Sequence, residues 1–539
     1  TNTAGEYTLS APVNGTLVVT FVGFEPQQLP IAGKTRINVT MKEDAQAIDD
    51  VIVVAFGTAK KEAFTGSAAV IKSDEIAKVQ TSNVATALVG RVAGVQTSST
   101  SGDLGKTPSI RVRGFGSINA GKEPLWIVDG MPYEGDLNNL NTNDIESMTV
   151  LKDAASNALY GARGANGVIL ITTKKGSADH STHVSYSNNT TFSNPFVTHQ
   201  FQNTYGRPSG DFKSWGEKLG KPSSYDPNDF FQTGYNTQNT VSVASSSERS
   251  QSFVSAGSVN SRGIIPNNEY SRYNFTIRHG RELVKDKLEL DTDFFFTKSE
   301  SQNGVAQGLY YNPLLPVYLF PPSENFERLK TYEIYDSGRN FATMYWPYSN
   351  TGLDALSQNP YWITNRNMFN TGKDRFLFGA SLKYDVTDWL DITGRARIDY
   401  THITAEQKNY ASTLGLFAGD KGRYYNNTYT TSQRYADVLA NVHKTFADGA
   451  FSLNATLGTS MMQTRSNNVS LLYEQSKFVA PGNGGAYYPN IFNPSNFYKN
   501  GTTMGLERKR LNSVFGAVTF GFKEALFLDV TARNDSSAG

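Results

Sequence analysis

The residues that first invite a chemical reading are glycines, arginines and one close pair of histidines. Gly161, Gly164 and Gly167 stand in "GARGANG" at G-x-x-G-x-x-G spacing, a pattern that can offer backbone N–H groups to a phosphate. A dinucleotide site needs a strand before such a turn and a helix after it. Here a helix-like stretch precedes the glycines and an apolar strand follows, so the motif reads as a helix stop and a turn. "RGFGS" over 113–117 begins like an RNA-recognition strand, but Ser117 stands where a stacking aromatic belongs. Gly114 and Gly116 read instead as a tight bend. His180 and His183 in "HSTH" are two of only 6 histidines and find no ligand cluster, and the chain has no cysteine at all. Thiolate metal sites, disulfides and cysteine nucleophiles are therefore excluded. Arg91, Arg111, Arg113 and Arg163 give this region a basic theme. Enclosed by a wall of strands, they could pair with inward acids such as Asp391 or Asp399; otherwise they are surface charges. No catalytic set, metal site or cofactor site emerges.

Those residues need a frame, and composition points to its kind. The 539 residues carry 50 Lys+Arg against 49 Asp+Glu, which argues against a nucleic-acid footprint. Charged residues reach only 18%, against a usual value of roughly 25%, while aromatics reach 12% through 32 Phe and 28 Tyr. The apolar fraction is only 38%. Asn, Ser, Thr and Gly make up the difference, which suits a sheet with one apolar and one uncharged polar face. No apolar run approaches the ~18 residues of a transmembrane helix, but a lipid-embedded strand needs only ~10 residues of alternation.

The chain divides into four stretches. Residues 1–44 hold strand-like runs ("GEYTLSAP", "GTLVVTFVGFEPQQLPI", "TRINVTMKE") and read as part of a small β-sandwich. Residues 45–62 place charges before the β-branched run Val51-Ile52-Val53-Val54, either an ordinary edge strand or a strand that a partner captures by β-augmentation. Residues 63–176 read as an α/β unit. Ser73 can cap one helix and Ser82 or Asn83 a second, strands follow, and Asp129-Gly130 between "LWIV" and "MPY" signals a tight hairpin. A last apolar strand is expected over 168–173.

From residue 177 to 539 alternation of period two dominates. Leu390, Ile392, Ala396, Ile398 and Tyr400 alternate with Asp391, Thr393, Arg395, Arg397 and Asp399, and "DVTD" joins this run to its partner Phe376–Tyr384. Turns such as "DVTD" and "FADG" are tight, whereas 297–370 and 461–505 hold long connections rich in Asn, Pro, Tyr and Gly. Short turns at one rim and long loops at the other are the habit of outer-membrane barrels.

Taken together, "DDVIVVAFGTAKKEAFTGSAAVIKSDEI", "VATALVGRVAGVQTSSTSGDLGKTPSIRVRGFGSINAGKEPLWIVDGMPY" and "LNTNDIESMTVLKDAASNALYGARGANGVILITTKKG" resemble the SusC-like (RagA-like) branch of TonB-dependent transporters. The resemblance implies a mainly β fold: an antiparallel outer-membrane β-barrel of 22 strands with an internal α/β plug. It makes 1–44 the C-terminal part of a carboxypeptidase-regulatory-like β-sandwich, 45–62 the TonB box and linker, 63–176 the plug and 177–539 the first half of the barrel. A 22-stranded barrel needs more than 177–539, so the chain is expected to be a piece of a longer protein.

By the same resemblance, Asp49, Asp50, Val51, Ile52, Val53 and Val54 occupy the TonB-box position. Arg111, Arg113, Gly114, Asp129, Gly130, Arg163, Gly164 and Gly167 become structural or gating residues of the plug. No covalent chemistry is implied, and no cofactor. The implied partners are TonB with its ExbB/ExbD energising proteins, a SusD-like surface lipoprotein lid, outer-membrane lipid and a second transporter–lid pair; nucleic acid is not among them.

The implied activity is import of oligosaccharides across the outer membrane of a Gram-negative bacterium, with the N-terminal region periplasmic. Loop residues Tyr310, Tyr311, Tyr345, Trp346, Tyr348, Tyr361 and Trp362 suit sugar rings, which stack on aromatics, or else serve loop packing or a membrane girdle. Import of oligopeptides by the same mechanism, transport of a siderophore or vitamin, and a non-transport structural β protein remain as alternatives.

Overall fold

In the computed structural model the residues described are all except 1–8, 10–11, 13, 20–26, 41–50, 55–56, 61–66, 80–82, 100–101, 115–122, 153–157, 178–179, 197–198, 209–213, 305, 307, 349–357, 415, 419–421, 448, 475–489, 491, 493–498 and 524. Near the N-terminus, β1 (Thr16–Val19) and β2 (Gln27–Pro30) form an antiparallel pair. The run at 35–40 forms no strand. It joins no ladder among the described residues, and the Gln27 side-chain amide donates to the Thr40 carbonyl at 2.8 Å. The expected sandwich is thus not formed among the described residues. Next, β3 (Val51–Val54) pairs with β4 (Gly57–Lys60) as a second small hairpin.

The α/β unit is built on a five-stranded sheet of β5 (Ala68–Lys72), β8 (Leu125–Val128), β9 (Met131–Tyr133), β10 (Ile145–Leu151) and β11 (Val168–Thr173), in the order β5-β10-β11-β8-β9. β11 runs parallel to β8, and the other pairs are antiparallel. β6 (Val95–Ser98) and β7 (Ser109–Val112) form a separate pair. Helix α1 (Ser73–Val79) has acidic residues in its first turn and Lys78 in its last, matching the helix dipole. The second expected helix is only a 3₁₀ turn, Val84–Leu88, with the Asn83 carboxamide accepting from the Ala85 N–H at 2.8 Å. Its apolar residues are buried, so packing rather than length holds it. As expected from their types, Asp129 and Gly130 both take positive φ (50° and 78°), as a two-residue hairpin turn demands.

The remainder is an eleven-stranded antiparallel sheet in sequence order. It consists of β12 (Thr182–Ser193), β13 (Gly234–Ser247), β14 (Ser250–Arg262), β15 (Glu269–Val284), β16 (Leu288–Gln302), β19 (Asn367–Thr387), β20 (Leu390–Asn409), β21 (Arg423–Phe446), β22 (Phe451–Glu474), β23 (Lys499–Phe522) and β24 (Leu526–Ala538). A short side hairpin of β17 (Glu333–Asp336) and β18 (Phe341–Met344) lies in the connection from β16 to β19. β12 and β24 are the two edges of the large sheet, so these strands form an open wall and do not close into a barrel.

Alternation sorts the wall into two faces. On β15, Arg272, Asn274, Thr276 and Arg278 are buried while Tyr273, Phe275 and Ile277 are exposed. On β16 and β19, Phe295 and Leu377 are buried within the same apolar core as Ile71, Val128, Met148 and Ile169 of the α/β unit. The unit therefore sits against the polar inner face, and the exposed apolar face points away from it.

Candidate functional site

The site is the seam between the α/β unit and the wall. Its centre is the turn between β8 and β9. The Asp129 carboxylate accepts from the Thr173 N–H at 3.0 Å and from the Thr173 hydroxyl at 2.9 Å, both within the unit. From the wall, Arg278 reaches the same carboxylate at 2.9 Å and also donates to the Thr173 carbonyl at 2.8 Å. Next door, Arg397 donates to the Val128 carbonyl at 2.9 Å and lies 3.5 Å from Asp293. A Cβ at Gly130 would stand 2.2 Å from the Arg395 guanidinium, which itself pairs with Asp437 at 2.6 Å. Glycine at this position thus serves the turn and the close approach of the wall.

Further along, the Arg375 guanidinium sits 4.1 Å over the Tyr133 ring, hydrogen-bonds its hydroxyl and pairs with Asp399. Burial pushes the Tyr133 phenol up to about 12, so it stays neutral. Gly135 leaves the room this arginine needs: an added Cβ would overlap its Nη1. Arg272 donates to the Asn138 carbonyl, Thr297 to the Asn139 carbonyl at 2.9 Å, and Arg533 to the Leu159 carbonyl at 2.6 Å. Lys373 pairs with Asp136 at 3.1 Å and Lys175 with Asp291 at 3.1 Å. Asp144 accepts from Ser255 at 2.8 Å and Thr276 at 2.7 Å. Burial raises its pKa, and those two hydroxyls only partly oppose the shift. Burial also acts on Asp136, but Lys373 and the Thr107 and Asn138 donors outweigh it and lower that carboxyl.

The charge arrangement is the reverse of the one sequence suggested. Arginines of the wall supply the crossing contacts to the unit's Asp129 and main-chain carbonyls, and the wall acids that sequence offered as partners are met from within the wall. Asp399 is taken by the wall's Arg375, and Asp391 accepts from Asn441 at 2.8 Å. Arg163 pairs within the unit with Glu134 at 2.6 Å and touches the Met462 sulfur of the wall at 3.2 Å. Arg111 lies on β7, and Arg113, at φ 59°, donates its N–H to the Gly94 carbonyl at 2.8 Å. Gly114 takes φ 93°. Gly167, also at φ 93°, donates to the Gly164 carbonyl, and a Cβ there would press on Val112 at 2.9 Å. Gly164 and Gly167 are thus a turn that lets β7 approach.

Asp49 and Asp50 lie outside the described residues, while Val51, Ile52, Val53 and Val54 form β3. The loop aromatics are mostly spent on packing. Trp362 is 0% exposed and donates its indole N–H to Thr413 at 3.0 Å. Tyr348 is buried in a cluster with Phe230, Val317, Phe320 and Phe326, against which Trp346 and Tyr361 pack. Tyr345 accepts at its hydroxyl from Arg328, and the Tyr311 ring lies 4.5 Å from Phe417. Tyr310 alone of the set is exposed, at 54%.

Sequence reasoning missed Asp144, Arg272, Arg278, Arg375 and Lys373. A signal was available for some: in "YSRYNFTIRH" both arginines share the phase opposite to Tyr273, Phe275 and Ile277. Among the described residues no group of three His, Asp or Glu side chains stands together as metal ligands.

A sheet with an apolar outer face and a polar inner face, holding an α/β stopper by hydrogen bonds, defines a plugged outer-membrane wall. The TonB-dependent Receptor Plug Domain family matches residues 60–168. The chain belongs to the SusC/RagA-like family of TonB-dependent outer-membrane transporters, whose members are transport proteins rather than enzymes. It is 31% identical over 450 residues to the TonB-dependent receptor SusC of Bacteroides thetaiotaomicron, covering 79% of this chain and 42% of that protein. It is 28% identical over 565 residues to the TonB-dependent receptor P26 of Formosa agariphila, covering 99% and 53%. The fold is similar to the RagAB peptide importer in its "open-open" state, with TM-score 0.71 and 19% identity, covering 90% of this chain and 56% of that one. The chain spans about half the length of the curated relatives it matches.

Proposed function

We propose that this chain supplies the plug and part of the wall of an importer that moves a small oligomeric solute, a sugar or a peptide, across the outer membrane. The observation that carries the reading is the seam: a stopper held to an inner wall by polar contacts that water can replace, behind an outer face fit for lipid. A lumen wide enough for an oligomer must be blocked, and the outer membrane has no ATP to move the block. On this reading TonB, energised by ExbB/ExbD, pairs with residues 49–54 and pulls. The hairpin of β3 with β4 supports it, because an extended strand is already shaped for pairing with another chain. Residues 45–62 then serve as the pulled linker, 63–176 as the plug and 177–539 as wall. Both wall edges need partner strands, since an unpaired edge in lipid costs several kcal/mol per polar group. A SusD-like lipoprotein would close the long-loop side, and two such pairs would associate.

Between the two substrate classes the loop packing supports an oligopeptide over an oligosaccharide. Trp362, Tyr348, Tyr361 and Trp346 are committed to the interior of the loop cap, which removes most of the ring faces that sugars would use. A peptide binds chiefly by main-chain hydrogen bonds and needs fewer of them. The test is uptake of defined oligopeptides and oligosaccharides by cells lacking residues 49–54. Normal membrane insertion with lost uptake supports energised import, and unchanged uptake overturns it. In cells with the intact chain, uptake of the sugars alone overturns the peptide assignment.

A further inference from the structure

The outward face of the wall changes character part way up. From the tight-turn end, β21 presents Phe446, then Lys444 with its ammonium 5.6 Å over the Phe446 ring and 4.8 Å over that of Trp389, then Val442, Ala440, Val438 and Ala436. β22 presents Phe451, Leu453, Ala455, Leu457 and Met461, and β23 presents Phe522, Phe520, Val518 and Val514. The Phe451 and Phe522 rings meet at 5.0 Å, as in a girdle at the lower lipid boundary. This band runs for about ten residues of each strand, the ~25 Å that a hydrocarbon layer requires. Beyond it on the same face come Arg434 of β21, Arg465 of β22 after Gln463, and Arg510 and Arg508 of β23 after Asn512.

The ladder brings these four together. Arg434 is opposite Gln463, which is opposite Arg510, and in the next outward row Arg465 is opposite Arg508. Strands lie ~4.8 Å apart and outward rows ~7 Å, so the four Cα atoms fall within about 10 Å of their neighbours. All four are exposed. None forms an ion pair among the described residues; Arg510 donates only to Asn512 at 3.3 Å and to the Met461 sulfur at 3.4 Å. From there to Leu471 of β22 and Thr502 of β23, the outward positions of β21, β22 and β23 contain no Asp or Glu, because Glu507 occupies the inward phase.

We propose that Arg434, Arg465, Arg508 and Arg510 bind the phosphate groups of lipid headgroups in the leaflet on the long-loop side. Four guanidiniums at the edge of an apolar band meet an amphiphile whose acyl chains lie on the band and whose phosphates reach the forks, each of which can take a phosphate through two N–H donors. A soluble anion would use the same forks but gain nothing from the apolar strip below. The proposal rests on the wall facing lipid, as argued above.

The full-length transporter, purified in neutral detergent, is titrated with diphosphoryl lipid A, with the same glycolipid stripped of its phosphates, and with inorganic phosphate, and bound lipid is read by native mass spectrometry. We expect the phosphorylated glycolipid to bind and R434Q/R465Q/R508Q/R510Q to weaken it by about a thousandfold, the size expected for four basic side chains at an anionic lipid surface. The corresponding four-Lys variant should recover part of the loss, which separates charge from damage to the fold. Equal binding of the dephosphorylated lipid, equal binding by the Gln variant, or full displacement by millimolar inorganic phosphate overturns the proposal. Urea-resistant membrane insertion of the same variants is scored in parallel; absence of insertion in the unaltered chain would instead overturn the lipid-facing wall.

Discussion

Arg278 of the wall and Asp129 of the plug meet at 2.9 Å with both side chains more than nine-tenths buried. The two residues are far apart in the chain, yet each also bonds Thr173, so one small knot ties β15 to the β8–β9 turn and to β11. Removing one partner of such a pair leaves the other charge buried alone. D129A should destabilise plug docking by about 3–5 kcal/mol. The double change D129A/R278M, which leaves neither charge buried alone, should cost less. Protease cleavage within 63–176 in the membrane-inserted transporter measures both, and equal sensitivity of D129A and the unaltered protein would contradict this account.

Gly130 tests the packing of the same turn. Its φ of 78° disfavours any side chain, and the new Cβ would lie 2.2 Å from Arg395. G130A should therefore cost about 1–3 kcal/mol, through strain at the turn and displacement of Arg395. Thermal unfolding followed on the heat-modifiable band should show it. G94A, where the Cβ meets nothing within 4 Å, carries only the backbone strain and should cost less.

Two plug carboxyls respond to pH with opposite sign. Asp144 is raised by burial, so its contribution is full in acid and is lost as pH climbs through its folded value. D144N keeps an acceptor for Ser255 and Thr276 without the buried charge, and should equal the acid form while gaining on the unaltered protein toward neutrality. Asp136 is lowered by Lys373 and its hydrogen-bond donors despite its burial. Its contribution is present above the unfolded carboxyl range and disappears as pH falls through the folded value. In D136N that acid-side loss should vanish, as protease resistance across an acid-to-neutral series would record.

Trp362 separates packing from substrate contact. It is fully enclosed and anchored through Thr413, so W362A should cost about 3–5 kcal/mol locally and speed hydrogen exchange over 303–366. A ring that only stacked on substrate would lower uptake with no change in exchange. Y310A, at an exposed ring, should leave exchange unchanged.

The strands of the wall were legible because a face in contact with lipid and a face in contact with a polar plug force opposite residue types into alternate positions. "LDITGRARIDY" states its own phase, and Asp391, Arg397 and Asp399 do point inward. The Asp129-Gly130 turn was legible because few residue pairs tolerate positive φ twice. The grip between Arg278 and Asp129 was not, since residues so far apart along the chain declare no partner. Nor was the burial of Trp362 and Tyr348: an aromatic in a long connection carries no periodicity to say which side closes over it. The 3₁₀ form of Val84–Leu88 escaped because apolar spacing fixes a buried stripe, not the tightness of the winding.

Several wall arginines take hold of main-chain oxygens: Arg272 that of Asn138, Arg397 that of Val128 and Arg533 that of Leu159. Every residue type offers the same oxygen, so much of the plug's sequence can drift while its seat is retained. These holds are also spread along the seam rather than gathered at one latch. A tug from one end would meet them in succession and peel the stopper away, with far less tension than tearing it loose in a single break.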